Sequence, residues 1–226
     1  MLVKYWMSAP AIVISANAPA TEAAKLMRQR GFRMLPVMAG SELVGVVTER
    51  DLKKAAPATG TPLATYELVE LVSEIRVKSV MARNPVSAQP DETIEEIAKR
   101  LLALRISGVP VVAPGNGLLG VITRSDIFRV LISLTGAGKG GIQFALTMVD
   151  RPGCIKTVTD IIRQFGGRLM STLSSYERVS PGYRRVYLRM SGIDRPSLDR
   201  IKELIGQHAT VLYIVDSRTG RREIYC

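Results

Sequence analysis

The 226-residue chain is long enough for two domains, each with its own core. With 46% hydrophobic and 23% charged residues it has the mix of an ordinary globular protein, which excludes a disordered or low-complexity chain. A net charge of +11 calls for an acidic partner, whether nucleic acid, an anionic membrane surface or a phosphorylated small molecule. Only Cys154 and Cys226 are present, without a Cys-x-x-Cys pair, so neither a disulfide framework nor a cysteine zinc site is encoded. A cytoplasmic protein fits this usage best.

The first twenty residues carry Lys4 and an apolar run from Ala11 to Ile14, a superficial likeness to a signal peptide. The run is too short, Pro10 stands directly before it, and Val3-Lys-Tyr-Trp-Met7 returns internally as Val77-Lys-Ser-Val-Met81. No apolar run approaches the length of a membrane crossing, so no membrane insertion is expected.

That return belongs to a longer repeat, with a shift of 74 to 75 positions, which comes before other fold reasoning. In the first copy, apolar residues at helical spacing (Ala20, Ala23, Ala24, Met27) precede two short β-branched runs and a second helix. Ala39-Gly40-Ser41 supplies the turn between the strands, and Gly45-Val-Val-Thr-Glu-Arg-Asp51 closes the unit. A short helix is expected at Tyr66–Val72 in the joining stretch. The second copy repeats the pattern with Ile94, Ile97, Ala98, Leu101 and Leu102, a turn at Pro114–Gly117, and Gly120-Val-Ile-Thr-Arg-Ser-Asp126. Each copy thus reads as helix, strand, strand, helix. About fifty residues bury too little alone, so the two copies are expected to pack together.

The pattern Gly-h-h-Thr-x-x-Asp, preceded by Arg33-Met-Leu-Pro-Val37 or Ser107-Gly-Val-Pro-Val111, resembles the paired CBS domain over roughly residues 1 to 134. An adenosine phosphate needs a carboxylate for ribose hydroxyls, a hydroxyl or free N–H near phosphate, and an apolar slot for the base. Gly45 and Gly120 allow close approach, Thr48 and Thr123 stand at strand-to-helix junctions, and Asp51 and Asp126 follow one turn onward. The resemblance implies that these Thr and Asp residues line clefts between the repeats. It adds contacts from Arg33 and Ser107, and apolar backbone near Ile12 and Val86 against the base. The alternative is a capping box, in which Thr and Asp only satisfy the first donors of their own helices. Because Arg33 in one copy stands where Ser107 stands in the other, the two clefts are not expected to be equivalent.

Gly138-Lys139 amid glycines invites comparison with a phosphate-gripping loop, but Ser133 and Gly140 stand where that motif needs Gly and Ser or Thr. Residues 135–141 therefore read as a flexible linker. Beyond it come a strand (Ile142–Val149), an amphipathic helix (Cys154–Phe165), strands at Leu169–Tyr176 and Tyr183–Met190, a helix at Ser197–Ile205 and a final strand at Val211–Val215. The order βαββαβ is ferredoxin-like. With Asp150-Arg-Pro-Gly153 after its first strand, this half resembles an ACT domain, which implies an amino-acid site involving Asp150, Arg151 and Gly153. Asp150 can instead simply cap the helix, a use compatible with that site. The basic run Tyr183-Arg-Arg-Val-Tyr-Leu-Arg189 reads as a solvated edge or face.

The fold class is therefore α/β and α+β, with CBS repeats at 1–57 and 77–134 joined by 58–76, a linker at 135–141 and an ACT-like domain at 142–226. No tuned acid–base pair or nucleophile elbow accompanies His208, Cys154 or Ser174-Ser175, so no enzyme is expected. Trp6 reads as an anchor between the repeats. The chain resembles CBS-plus-ACT regulators of the acetoin-utilisation type. That resemblance implies a homodimer joined through both modules, an adenine nucleotide (AMP, ADP, ATP or S-adenosylmethionine) and an amino acid as regulatory ligands, no catalytic cofactor, and a protein target that the motifs do not specify. The alternative reading is a basic nucleic-acid-binding protein. It stands second because the basic residues are dispersed, with no block longer than pairs such as Lys53-Lys54 and Arg221-Arg222.

Overall fold

The computed structural model describes residues 1–55, 75–115 and 117–225. The chain divides into two compact units, Met1–Arg129 and Val130–Cys226, with the division falling inside one helix. The helix expected at Tyr66–Val72 lies outside the described residues.

In the first unit, copy one runs β1 (Ile14–Ser15), α1 (Ala20–Arg30), β2 (Met34–Ala39), β3 (Glu42–Thr48) and α2 (Glu49–Ala55). Copy two runs α3 (Val77–Val80), β4 (Ala82–Arg83), α4 (Ile94–Ala103), β5 (Gly108–Val112), β6 (Leu118–Thr123) and α5 (Arg124–Thr135). Helix α1 buries Ala20, Ala23 and Met27 on one side and stops at Gly31, whose φ of 68° suits glycine. Helix α4 starts from a reciprocal cap: Glu96 N–H donates to Thr93 Oγ1 (3.2 Å), and Thr93 N–H donates to Glu96 Oε2 (2.8 Å). These bonds from Thr93 hold the Glu96 carboxyl below its ordinary value. The antiparallel pairs β2–β3 and β5–β6 set Met34 opposite Thr48 and Gly108 opposite Thr123, so both closing motifs leave their sheets at equivalent places.

The copies exchange their leading segments. Val77 N–H donates to Ala18 O and Lys78 N–H to Ala16 O, each at 2.9 Å, and Val77, Val80 and Met81 pack into the core of copy one around Leu35, Val37 and Val47. Reciprocally, Val3 N–H donates to Glu92 O and Lys4 N–H to Pro90 O, also at 2.9 Å. Val3 and Val77 are both fully buried, each such burial contributing about 1.5–3 kcal/mol. Strand β4 then joins β3, completing the sheet β1-β2-β3-β4, while Ser8 bridges to Val121 on β6.

The second unit contains β7 (Ile142–Val149), α6 (Cys154–Gln164), β8 (Arg168–Ser175), β9 (Tyr183–Ser191), α7 (Leu198–Gly206), β10 (Thr210–Asp216) and β11 (Arg222–Ile224). Its sheet has the order β11-β10-β7-β9-β8, with every pair antiparallel. The first six elements follow the βαββαβ order read from the sequence; β11 is an addition. Alternate residues Phe144, Leu146, Met148, Val186, Leu188 and Met190 meet Val158, Ile162, Ile201 and Ile205 of the helices in one core.

Two expectations are corrected here. The basic run Tyr183–Arg189 is not an edge, since β9 lies between β7 and β8. The segment 135–141 is not a free linker: the guanidinium of Arg189, only 6% exposed, donates to Thr135 O (2.7 Å) and Gly140 O (3.2 Å). Ser217 Oγ at 3.0 Å and Gln143 Oε1 at 3.1 Å accept its remaining bonds. Burying an arginine demands this degree of pairing, and the nearest acceptors are carbonyls of that segment.

Candidate functional site

Each closing motif places a threonine at the end of a strand and an aspartate in the first turn of the following helix. In copy one, Thr48 N–H and Thr48 Oγ1 both donate to Asp51 Oδ2, at 3.0 and 2.6 Å. In copy two, Thr123 N–H and Oγ1 donate to Asp126 Oδ2 at 2.7 and 2.6 Å. The return bonds from Asp51 N–H to Thr48 Oγ1 (3.3 Å) and from Asp126 N–H to Thr123 Oγ1 (3.4 Å) complete the caps. The capping alternative is thus realised in both copies, but it occupies only one oxygen of each carboxylate, leaving Oδ1 to decide what else each aspartate does.

Here the copies part. Asp126 is 1% exposed, and its Oδ1 accepts from Ser8 Oγ (3.4 Å) and from the guanidinium of Arg129 one turn along α5. At the matching places the motif of copy one meets Ala82, which arrives from copy two on β4 and lacks a hydroxyl, and Lys54, which makes no ion pair with Asp51 among the described residues. Asp51 is half-buried, and all its hydrogen bonds among the described residues go to Thr48. Among the described residues, Asp51 therefore keeps one carboxylate oxygen unpaired, while Asp126 is already paired with a cation.

The remaining expected residues fall beside these motifs. Arg33 is exposed, and its carbonyl accepts from Glu49 N–H (3.2 Å); Ser107 O accepts from Arg124 N–H (2.9 Å). Both residues border a strand-to-helix junction, as their motif positions require. Ile12 and Val86 are exposed, 36% and 45%, in the extended stretches that lead out of the exchanged segments. The exchange sets segments and motifs crosswise: Ser8 on the segment leading to Ile12 meets Asp126, and β4, which leads to Val86, lies on the strand that ends at Thr48.

Gly45 and Gly120 prove to serve protein contact. A Cβ on Gly45 would lie 2.7 Å from Ala82 O and from Met81 Sδ, and one on Gly120 would lie 2.6 Å from Ser8 O. Their bare backbones admit the exchanged segments. Sequence reasoning missed Ser8 and Arg129, although Arg129 stands three residues after Asp126 on a helix, a spacing that places two side chains on one face.

In the second unit, Asp150, Arg151, Gly153, Lys156 and Arg184 line an open cavity of about 500 Å³ at the start of α6. Gly153, in the left-handed region at φ 83°, precedes the helix without a side-chain cap. Asp150 does not cap it; its carboxylate pairs with Arg184 at 2.7 Å. That carboxylate raises the Arg184 pKa further. Cys154 is half-buried against the core, and His208 is exposed. Among the described residues no helix is long and apolar enough to cross a membrane, and no cluster of three metal-ligating side chains occurs.

Comparison with known proteins agrees with the repeat. The family model of the CBS domain matches residues 3–58 and again 77–133. A CBS domain-containing protein of Dictyostelium discoideum is 30% identical over 135 residues, covering 59% of this chain and 93% of that protein. The inosine-5'-monophosphate dehydrogenase of Korarchaeum cryptofilum is 32% identical over 117 residues, 52% of this chain but only 21% of the enzyme. Among solved structures, an acetoin-utilisation protein (AcuB) of Vibrio cholerae superposes with a TM-score of 0.51 at 26% identity, covering 62% of this chain and 96% of that one. The two matched stretches contain the duplicated Gly–Thr–Asp motifs and the segments they exchange, and on them the chain belongs to the CBS-domain family.

Proposed function

We propose that this chain is a non-catalytic ligand sensor that takes an adenine nucleotide in the clefts of its CBS pair. The observation that carries the reading is Asp51: its cap consumes one carboxylate oxygen and leaves the other to accept from ribose hydroxyls. The dipole at the start of α2 suits a phosphate, and Arg33 and Thr48 lie on the same junction. The stretch through Val86 offers apolar backbone to the base. Cleft two, with Thr123, Asp126, Ser107, Gly120 and Ile12, is the weaker site, because a nucleotide there must compete with Arg129 and Ser8 for the carboxylate. Arg129, 64% exposed at its side chain, is then free to turn to a phosphate.

In the same reading the second unit is an ACT domain, and the cavity beside Asp150, Arg151 and Gly153 takes an amino acid. Arg184 and the N–H groups after Gly153 suit its carboxylate; Asp150 suits its ammonium once released from Arg184. The protein works as a homodimer in the cytoplasm and reports to a protein target. Regulation requires each ligand to prefer one arrangement of the assembly, since equal affinity for two states shifts neither.

A thermal-shift series against AMP, ADP, ATP, S-adenosylmethionine and single amino acids tests this. A nucleotide at about a hundredfold its Kd stabilises by about 2.7 kcal/mol, a rise of several degrees. Asp51→Ala is expected to remove most of that rise and Asp126→Ala little of it. The absence of a response to all four nucleotides would end the proposal.

A further inference from the structure

The basic residues that are scattered along the sequence of the second unit are gathered by its fold. Strand residues alternate between two faces, and the face that carries Val186, Leu188 and Met190 is closed by α6 and α7. The register puts Tyr187 opposite Ala145, Ala145 opposite Tyr213, and Tyr213 opposite Ile224, a row across four strands on the other face. Arg185 and Tyr183 share that face with Tyr187 along β9, and Arg222 shares it with Ile224 along β11. No Asp or Glu of these strands projects there among the described residues, because Asp216 and Glu223 turn towards Arg195 and Lys202 on the helix side.

Tyr183 is 44% and Ile224 70% exposed, Arg222 is exposed, and Tyr187 and Tyr213 are partly exposed. The Nε–H of Arg185 is buried and has no acceptor among the described residues, although such donors are almost always paired. Burial raises the pKa of Tyr213, Tyr187 adds to that, and Arg185 and Arg189 oppose it. Arg189 itself is not available, since its bonds are spent on residues 135–140 and their neighbours.

We propose that this open sheet face binds single-stranded nucleic acid, with Tyr183, Tyr187 and Tyr213 stacking on bases and Arg185 and Arg222 meeting phosphates. Two strand spacings separate Tyr187 from Tyr213 by about 10 Å, and four residues separate Tyr183 from Tyr187 by about 14 Å. Aromatic side chains on an open antiparallel sheet, flanked by cations, form a general platform for unstacked bases. A duplex hides its bases from such a face. A second copy laid face to face would set arginines against arginines with no carboxylate in reach, an arrangement disfavoured by charge.

The full chain is titrated into fluorescein-labelled oligouridylate and oligothymidylate of about fifteen nucleotides, followed by anisotropy at about 50 and about 200 mM salt. We expect binding that weakens with salt and falls about 5- to 100-fold in Tyr187→Ala or Tyr213→Ala, while Tyr213→Phe, which keeps the ring, and Asp51→Ala in the other unit retain it. Should Tyr213→Ala fail to fold, Arg222→Glu on the exposed edge carries the test and is expected to weaken binding at low salt. Binding indifferent to the tyrosines overturns the proposal in favour of bare charge attraction. No retention at low salt also overturns it, and a dimer that Tyr213→Ala dissociates in sedimentation assigns the face to a second copy instead.

Discussion

Placing a single methyl group on Gly120 tests the exchange of segments on which both clefts depend. The added Cβ would stand 2.6 Å from Ser8 O and 3.1 Å from Met7 Sδ. Met7 can swing aside, but Ser8 O is backbone and accepts from Val121 N–H at 3.0 Å, while Ser8 N–H donates back to Val121 O at 2.9 Å. A retreat of about half an ångström takes both bonds past the useful range. Overpacking contributes about 1–3 kcal/mol and each of the two weakened bonds about 0.5–1.5 kcal/mol, so Gly120→Ala should cost about 2–6 kcal/mol. For a unit of this size each kcal/mol moves the melting point by about 3–5 °C, and calorimetry of the full chain should show its CBS-pair transition lowered by about 6–30 °C. Gly45→Ala, which would meet Ala82 O at 2.7 Å, should behave alike, and Gly117→Ala, with nothing within 4 Å, should not. A Gly120→Ala protein melting within about 2 °C of the parent would show that the segments are not held as described.

Three further outcomes follow from other contacts. Asp216, held at about 2 chiefly by the Arg195 guanidinium at 2.5 Å and also by Arg218 N–H, has a folded pKa below its ordinary value; the stability it contributes is complete above about pH 4 and is lost as pH falls towards about 2. Melting curves of Asp216→Asn should therefore lie below the parent at neutral pH and converge with it in acid. Replacing Arg189 by Met strands the carbonyl of Gly140 and leaves Thr135 O with the Ser171 hydroxyl at 2.9 Å, for a cost of about 1–3 kcal/mol in urea unfolding, and should speed amide exchange over residues 136–140; unchanged exchange would deny the clamp. The double variant Ser8→Ala, Arg129→Lys gives Asp126 the neighbours that Asp51 has, and calorimetric titration should show nucleotide bound more tightly at the second motif, by about tenfold if one charge-assisted bond no longer competes.

The repeat was legible because equivalent packing demands equivalent residues: Gly, Thr and Asp recur in register, and so do the apolar faces of α1 and α4. The exchange was not. A contact between Val3 and Glu92 has no local signature, and its trace was only that Val3-Lys4 and Val77-Lys78 recur outside the helix–strand–strand–helix unit they were expected to serve. In β9, three arginines among the seven residues Tyr183–Arg189 hid the alternation that buries Val186 and Leu188, so an interior strand read as a solvated edge or face. The short β11 escaped because a three-residue polar strand is specified by its backbone pairing with β10 more than by its side chains. Of the candidate sites, the Thr–Asp pairs and the Asp150–Gly153 turn were legible as motifs, and the Arg184 partner of Asp150 was not, because it arrives from a strand 34 residues away in sequence.

Duplication alone would give this protein two Thr–Asp motifs with equal surroundings, and the structure locates where the equality ends. The motif itself is unchanged: both threonines, both aspartates and both caps superimpose in their bonding. What differs is the second neighbour of each carboxylate, Ser8 with Arg129 against Ala82 with Lys54, and half of each pair arrives on the exchanged segment from the other copy. Substitutions in a leading segment therefore tune the opposite copy's cleft while leaving their own copy's closing motif untouched. In the proposed nucleotide reading, the exchange gives two motifs of one recognition chemistry different competitors for the ligand, and so different affinities.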